Sequence, residues 1–162
     1  MQSLKFLNSK EKREIRRKLE ENYGFDGELE GALLLSTKEE RIYLFSGAEL
    51  LPDGFDKRVR VDRAGLYIGK ILSNGILLNV EGSQIVGPHA KKNVIELDEG
   101  HLEPWVKGED LELSPAEKEK TGGEKGIFIM KHGSDFLGTA IIKDGKAINQ
   151  LSKNRRVKNL NR

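Results

Sequence analysis

The dipeptide Asn74-Gly75, set between the apolar runs at residues 65–72 and 76–80, commits that stretch to an antiparallel hairpin. A two-residue type I′ turn needs positive φ at both central positions, and Asn and Gly reach it at least cost. Asp144-Gly145 repeats the chemistry near the other end, between runs at 136–142 and 146–151. Further β-branched and aromatic runs lie at 31–36, 41–46 and 126–131. Turn-like breaks at Lys38-Glu39-Glu40, Pro52-Asp53-Gly54 and His132-Gly133-Ser134-Asp135 separate these runs. A chain punctuated in this way folds around short antiparallel strands.

Helical spacing is confined to two places. Residues 8–22 predict a helix: Asn8 and Glu11 form a capping-box pair, Ile15, Leu19 and Tyr23 recur every four residues, and Gly24 supplies the stop. Its other face mixes Lys10, Arg13 and Arg17 with Glu14 and Glu21, the pattern of a solvated surface. Residues 82–87 end the first half, and Pro88 opens a connector or short helix. A strand at 93–97 leads into a second helix at 98–106, capped by Asp98 and closed by Gly108. The polar stretch 113–126, with Ser114, Pro115 and Gly122-Gly123, predicts a mobile loop. The strands at 126–131, 136–142 and 146–151 form a meander. Closing it into a small barrel with one short helix would remove its exposed edges. The expected fold is therefore α+β, with a helix-plus-sheet domain at 1–92 and a small β-barrel at 93–162.

Several chemistries are excluded or unsupported. The chain has no cysteine, which removes disulfides, thiolate metal sites, iron–sulfur clusters and cysteine nucleophiles. Neither a Gly-Lys-Ser/Thr phosphate loop nor a Gly-x-Gly-x-x-Gly fingerprint is present, and Gly122-Gly123-Glu124-Lys125-Gly126 fits neither spacing. His89, His101 and His132 lie in separate segments, with no two at ligand spacing. The expectation is a non-enzyme with no catalytic residues, no metal and no cofactor. Neither a run of about 18 apolar residues nor an apolar signal core follows Met1, so no membrane association and a cytoplasmic location are expected.

The net charge of +2 conceals a segregation. Residues 143–162 hold seven Lys or Arg against Asp144 alone, a local charge of +6, so the other 142 residues carry −4. A basic end on an acidic body points to a polyanionic partner. From Ser152 onward the chain carries Lys153, Arg155, Arg156, Lys158 and Arg162 with no acid, interleaved with Asn154, Asn159 and Asn161. Cations at this density neutralise phosphates, and the amides suit base edges or 2′-hydroxyls. The candidate RNA-binding residues are Lys143, Lys146, Asn149, Lys153, Asn154, Arg155, Arg156 and Lys158. Aromatics make up 6% of the chain, too few for a stacking platform, and Trp105 is expected in the core of the short helix.

The second half resembles the PUA domain, a small RNA-binding β-barrel. The matching segments are Val94-Ile95-Glu96-Leu97-Asp98-Glu99, Trp105-Val106-Lys107-Gly108-Glu109-Asp110-Leu111, Gly126-Ile127-Phe128-Ile129-Met130 and Phe136-Leu137-Gly138-Thr139-Ala140. Residues 4–24, Arg41-Ile42-Tyr43-Leu44-Phe45, Gly65-Leu66-Tyr67-Ile68-Gly69-Lys70-Ile71 and Gly87-Pro88-His89-Ala90-Lys91 are similar to the pre-PUA domain of archaeal and eukaryotic large-subunit ribosome assembly factors. The ending Ile148-Asn149-Gln150-Leu151-Ser152-Lys153-Asn154-Arg155-Arg156 resembles the RNA-binding tail unit of the Nol1/Nop2/Sun ribosomal RNA cytosine methyltransferases, with Ser152 where those tails tend to have Pro.

These resemblances imply binding of structured rRNA or tRNA, in ribosome assembly or RNA modification, with assembly or modification proteins as further partners. They do not imply methyl transfer, which in that family uses cysteine chemistry. The alternative is a protein–protein module whose acidic N-terminal half docks an RNA-modifying enzyme or assembly factor.

Overall fold

A computed structural model describes residues 3–60 and 64–159. Asn161 and Arg162, counted above with the basic end, lie outside the described residues.

The chain opens with a strand that the sequence pattern did not suggest, β1 (Leu4–Phe6). Helix α1 (Ser9–Tyr23) follows as expected. The Glu11 amide donates to Asn8 Oδ1 at 2.9 Å, the Asn8 amide donates to Glu11 Oε2 at 2.9 Å, and Gly24 ends the helix. Its buried residues are Ile15, Leu19 and Tyr23, and the Tyr23 hydroxyl donates to the Ile76 carbonyl at 2.5 Å. Next come β2 (Ala32–Ser36), β3 (Arg41–Phe45), the short helix α2 (Phe55–Arg58), β4 (Leu66–Leu72) and β5 (Gly75–Leu78). The five strands form one antiparallel sheet in sequential order.

The hairpin at Asn74 is present, but its turn is shifted by one residue. Leu72 pairs with Gly75, so Ser73 and Asn74 are the central residues, and neither has positive φ. Gly75, at φ 149°, begins the returning strand, where a Cβ would lie 1.7 Å from Asn22 Oδ1. Helix α1 thus approaches the start of the returning strand closely. Val80, expected to end the strand, instead starts α3 (Val80–Val86), because the Asn79 side chain accepts from the Gly82 amide at 2.8 Å and caps a helix there. A single helical turn at Gly87–His89 follows, around Pro88.

The second half contains β6 (Val94–Glu96), α4 (Glu99–Val106), β7 (Leu111–Glu112), α5 (Pro115–Thr121), β8 (Gly126–His132), β9 (Asp135–Lys143) and β10 (Lys146–Asn149). The stretch expected to be a loop is thus partly the helix α5. Ser114 Oγ accepts from the Glu117 amide at 3.2 Å, Pro115 fits the first turn, and Gly122 closes the helix. These are helix boundaries, which a reading dominated by polarity overlooks. Asp144 and Gly145 have φ 52° and 73°, the expected type I′ pair, and Lys143 faces Lys146 across the turn.

This sheet has the order β6-β8-β9-β10-β7, with β6 parallel to β8 and the other neighbours antiparallel. Helix α5 packs against β6 and α4 against β7, so helices cover both sheet edges. Trp105 is fully buried in the core, and its Nε1 donates to the Leu137 carbonyl at 2.9 Å. The fold is α+β with a PUA-like C-terminal part.

The two sheets share a boundary that is apolar on both sides. Within strand β8 the run Ile127-Phe128-Ile129-Met130 holds no polar residue because its faces enter different cores. Ile127 and Ile129 join the core beneath α1, and Phe128 and Met130 join the core around Trp105. A strand buried on both faces loses the alternation of a half-exposed one. Polar bonds fix the end of β5 and α3 in the seam. Thr139 Oγ1 donates to the Leu78 carbonyl at 2.7 Å, and the Gly138 amide donates to Ser83 Oγ at 2.9 Å. A Cβ at Gly82 would stand 1.9 Å from the Ile68 carbonyl oxygen, so α3 lies directly on β4.

Candidate nucleic-acid interface

The basic segment is not a free extension. Leu151 is buried in the second core, and residues Lys153–Arg155 make a helical turn in which the Arg155 amide donates to the Ser152 carbonyl at 2.9 Å. The Val157 amide donates to the Val106 carbonyl at 2.8 Å, which ties the chain to the end of α4. Arg156 lies across Gly108, where a Cβ would come within 2.4 Å of its Cδ, and its Nε donates to the Leu151 carbonyl at 3.2 Å. Arg155 reaches the other way and pairs with Glu81 of α3.

Five of the eight sequence-predicted residues therefore stand together on this ledge: Lys153, Asn154, Arg155, Arg156 and Lys158, all exposed. Lys153 and Lys158 have no salt bridge among the described residues. Asn154 Oδ1 accepts from Ser152 Oγ at 2.6 Å. Lys143 and Lys146 lie apart from this group, at the far end of β10, about 10 Å along a strand rising about 3.4 Å per residue. Lys146 pairs with Glu112 at 3.1 Å, and Lys125 approaches Asp144 at 3.7 Å.

Asn149 does not fit the role of an RNA reader. Its Nδ2 donates to the carbonyls of Trp105 at 2.8 Å and Glu109 at 3.1 Å, and its Oδ1 accepts from the Leu151 amide at 2.8 Å. Its own amide donates to Asp110 Oδ1 at 2.8 Å. The side chain is spent on joining the end of β10 to the end of α4, and this positions the ledge.

Beside the ledge lies a cleft of about 250 Å³. Leu66 and Leu77 from the first sheet, Glu81 from α3, and Gln150, Asn154 and Arg155 from the second half help to line it. Its N-terminal residues carry no linear signal for RNA contact. Only the packing of α3 against β9 brings them to the basic segment.

Among the described residues, one group has potential metal-ligand chemistry. Donor atoms of Asp98, His101 and Glu117 all lie within 4.8 Å of one another, an arrangement hidden from the sequence because α5 delivers Glu117. His101 Nδ1, however, stands 2.5 and 3.1 Å from the two Glu117 oxygens. Ligands about 2.0–2.1 Å from one zinc ion stand roughly 3 Å or more apart. The arrangement is that of a hydrogen bond satisfying a buried carboxylate.

Residues 92–157 match the family model described as "Methyltransferase RsmF PUA domain". The match spans the second sheet, both of its helices and the ledge as far as Val157, so this part of the chain is a PUA domain of the RsmF/Sun methyltransferase type. No curated protein matches the chain.

Proposed function

We propose that the protein is a non-catalytic RNA-binding adaptor that recognises structured ribosomal or transfer RNA during ribosome assembly or RNA modification. The observation that carries this is the ledge itself: four cations and Asn154, within a PUA domain, held to α4 and α3 by main-chain and side-chain contacts. PUA domains generally bind RNA. Because the segment is ordered before binding, RNA does not have to supply its ordering free energy. Arg155 and Arg156 suit bidentate phosphate contacts, and the exposed amide of Asn154 suits 2′-hydroxyls or base edges.

The test is filter binding of a structured RNA at rising salt. Each phosphate contact contributes about 0.7–0.9 to the slope of log affinity against log salt. Replacing Arg155 and Arg156 with Ala should flatten that slope by roughly 1.4–1.8. The pair Lys153→Ala and Lys158→Ala, which breaks no internal contact, should act in the same direction. An unchanged slope in both variants would sink the proposal.

A protein-docking role for the N-terminal half is favoured by one observation, the exposed apolar Leu50, at 83% of its full area, together with Val59. That role predicts that Leu50→Glu in the intact chain abolishes capture of an RNA-modification or assembly protein while RNA binding is retained. The intact chain is required because Ile127 and Ile129 complete the N-terminal core.

A further inference from the structure

The cleft beside the ledge contains an unfinished interaction. Glu81 has a side chain only 16% exposed; one of its carboxylate oxygens takes Arg155, and the other, Oε2, has neither solvent nor a hydrogen-bond donor. A buried carboxylate oxygen without a donor is rare, because removal from water is left uncompensated. A bound group bearing N–H donors would complete it. The surrounding surface has apolar walls at Leu66 and Leu77 and amide side chains at Gln150 and Asn154, with Lys153 and Arg155 beside them.

We propose that this cleft receives one unstacked guanine of the bound RNA, with Glu81 accepting hydrogen bonds from its Watson–Crick edge. The inference rests on the RNA binding proposed for the ledge and adds base selectivity to it. An ionised carboxylate only accepts hydrogen bonds, so it selects bases by their donors. Guanine alone presents two adjacent donors, N1–H and N2–H, matching two carboxylate oxygens as a guanidinium does. Cytosine and adenine offer one amino group on that edge, and uracil one imino group.

Arg155 links base and backbone recognition. In the free protein it occupies one Glu81 oxygen while the other is closed to solvent; when it turns to a phosphate the carboxylate turns out with it, and both oxygens serve the base. A volume of about 250 Å³ takes a single base and excludes a base pair. Leu66, 43% exposed in the free protein, would then lie against the base.

The test uses the full chain and an RNA hairpin with one bulged nucleotide, prepared with guanine, inosine, adenine, cytosine or uracil at the bulge. Guanine should bind about 5- to 100-fold more tightly than inosine, which lacks only the N2 amino group. Glu81→Gln should abolish that preference without flattening the salt slope, since Glu81 touches no phosphate. Leu66→Glu, at an exposed position, should block the same base while leaving every salt bridge intact. Salt-dependent binding with no preference for guanine, or a preference that survives both substitutions, overturns the inference and leaves the ledge proposal standing. Absence of salt-dependent binding to every hairpin overturns both.

Discussion

Replacing Asn149 with alanine should destabilise the protein before it affects any RNA. The substitution removes two hydrogen bonds to the Trp105 and Glu109 carbonyls and one from the Leu151 amide. Each such bond contributes about 1 kcal/mol net, and the site is half-buried, so water replaces part of the loss. A destabilisation of about 2–3 kcal/mol follows, which for a chain of this size lowers the melting temperature by roughly 4–12 °C. Asn149→Asp should cost at least as much. It keeps an acceptor for Leu151 but turns a charged oxygen towards two carbonyls.

Urea denaturation gives the comparison directly, with a lower midpoint and an unchanged slope expected for Asn149→Ala. If the variant unfolds at the wild-type midpoint yet binds RNA more weakly, the amide is an RNA contact and the structural role assigned to it is wrong.

Two further substitutions probe buried polar groups. Burial pushes the Tyr23 hydroxyl far above its ordinary pKa. The folded protein therefore keeps a proton that the unfolded chain releases above about pH 10, and stability falls there by about 1.4 kcal/mol per pH unit. Tyr23→Phe should cost about 1–2 kcal/mol at pH 8, with the gap to wild type closing towards pH 11; parallel stability profiles across that range would refute this. His101→Ala leaves the buried Glu117 carboxylate without its donor and should cost about 3–5 kcal/mol, most of it recovered in the double variant with Glu117→Met. A single variant as stable as wild type in thermal denaturation would show that the contact contributes nothing.

Where local chemistry decides structure, the sequence was readable. Asn8, Glu11 and Gly24 delimit α1, and Asp144-Gly145 fixes the last hairpin, because each acts on its own neighbours. The departures arise where a distant segment decides. The turn at Ser73-Asn74 leaves Gly75 on the returning strand, where Asn22 of α1 packs closely against it. Leu4–Phe6 becomes a strand because β2 offers it an edge. Helix α5 was hidden by its polarity, although Ser114, Pro115 and Gly122 mark both of its ends. For the candidate site, charge density pointed to a segment whose Lys153, Asn154, Arg155, Arg156 and Lys158 stand together on the surface. It could not separate Asn149, whose amide faces inward, from Asn154, whose side chain is exposed.

Arg155 shows why charge counting along the chain falls short of a description of the interface. Its partner, Glu81, belongs to the half whose negative charge the sequence sets against the basic end. The cation is half-exposed but the carboxylate is not, so drawing Arg155 away leaves a charge on Glu81 without a partner. A phosphate can therefore take Arg155 at small net cost only when another N–H donor replaces it at Glu81. The pair does restrict where the guanidinium waits, between α3 and the ledge. Ordering a long side chain on binding costs about 0.5–1.5 kcal/mol, a cost reduced when the side chain is already held. In the proposed RNA complex the contact with the acidic half would work as preorganisation: Glu81 holds Arg155 at the ledge, and the exchange that would deliver Arg155 to a phosphate would pass its place on the carboxylate to the bound base.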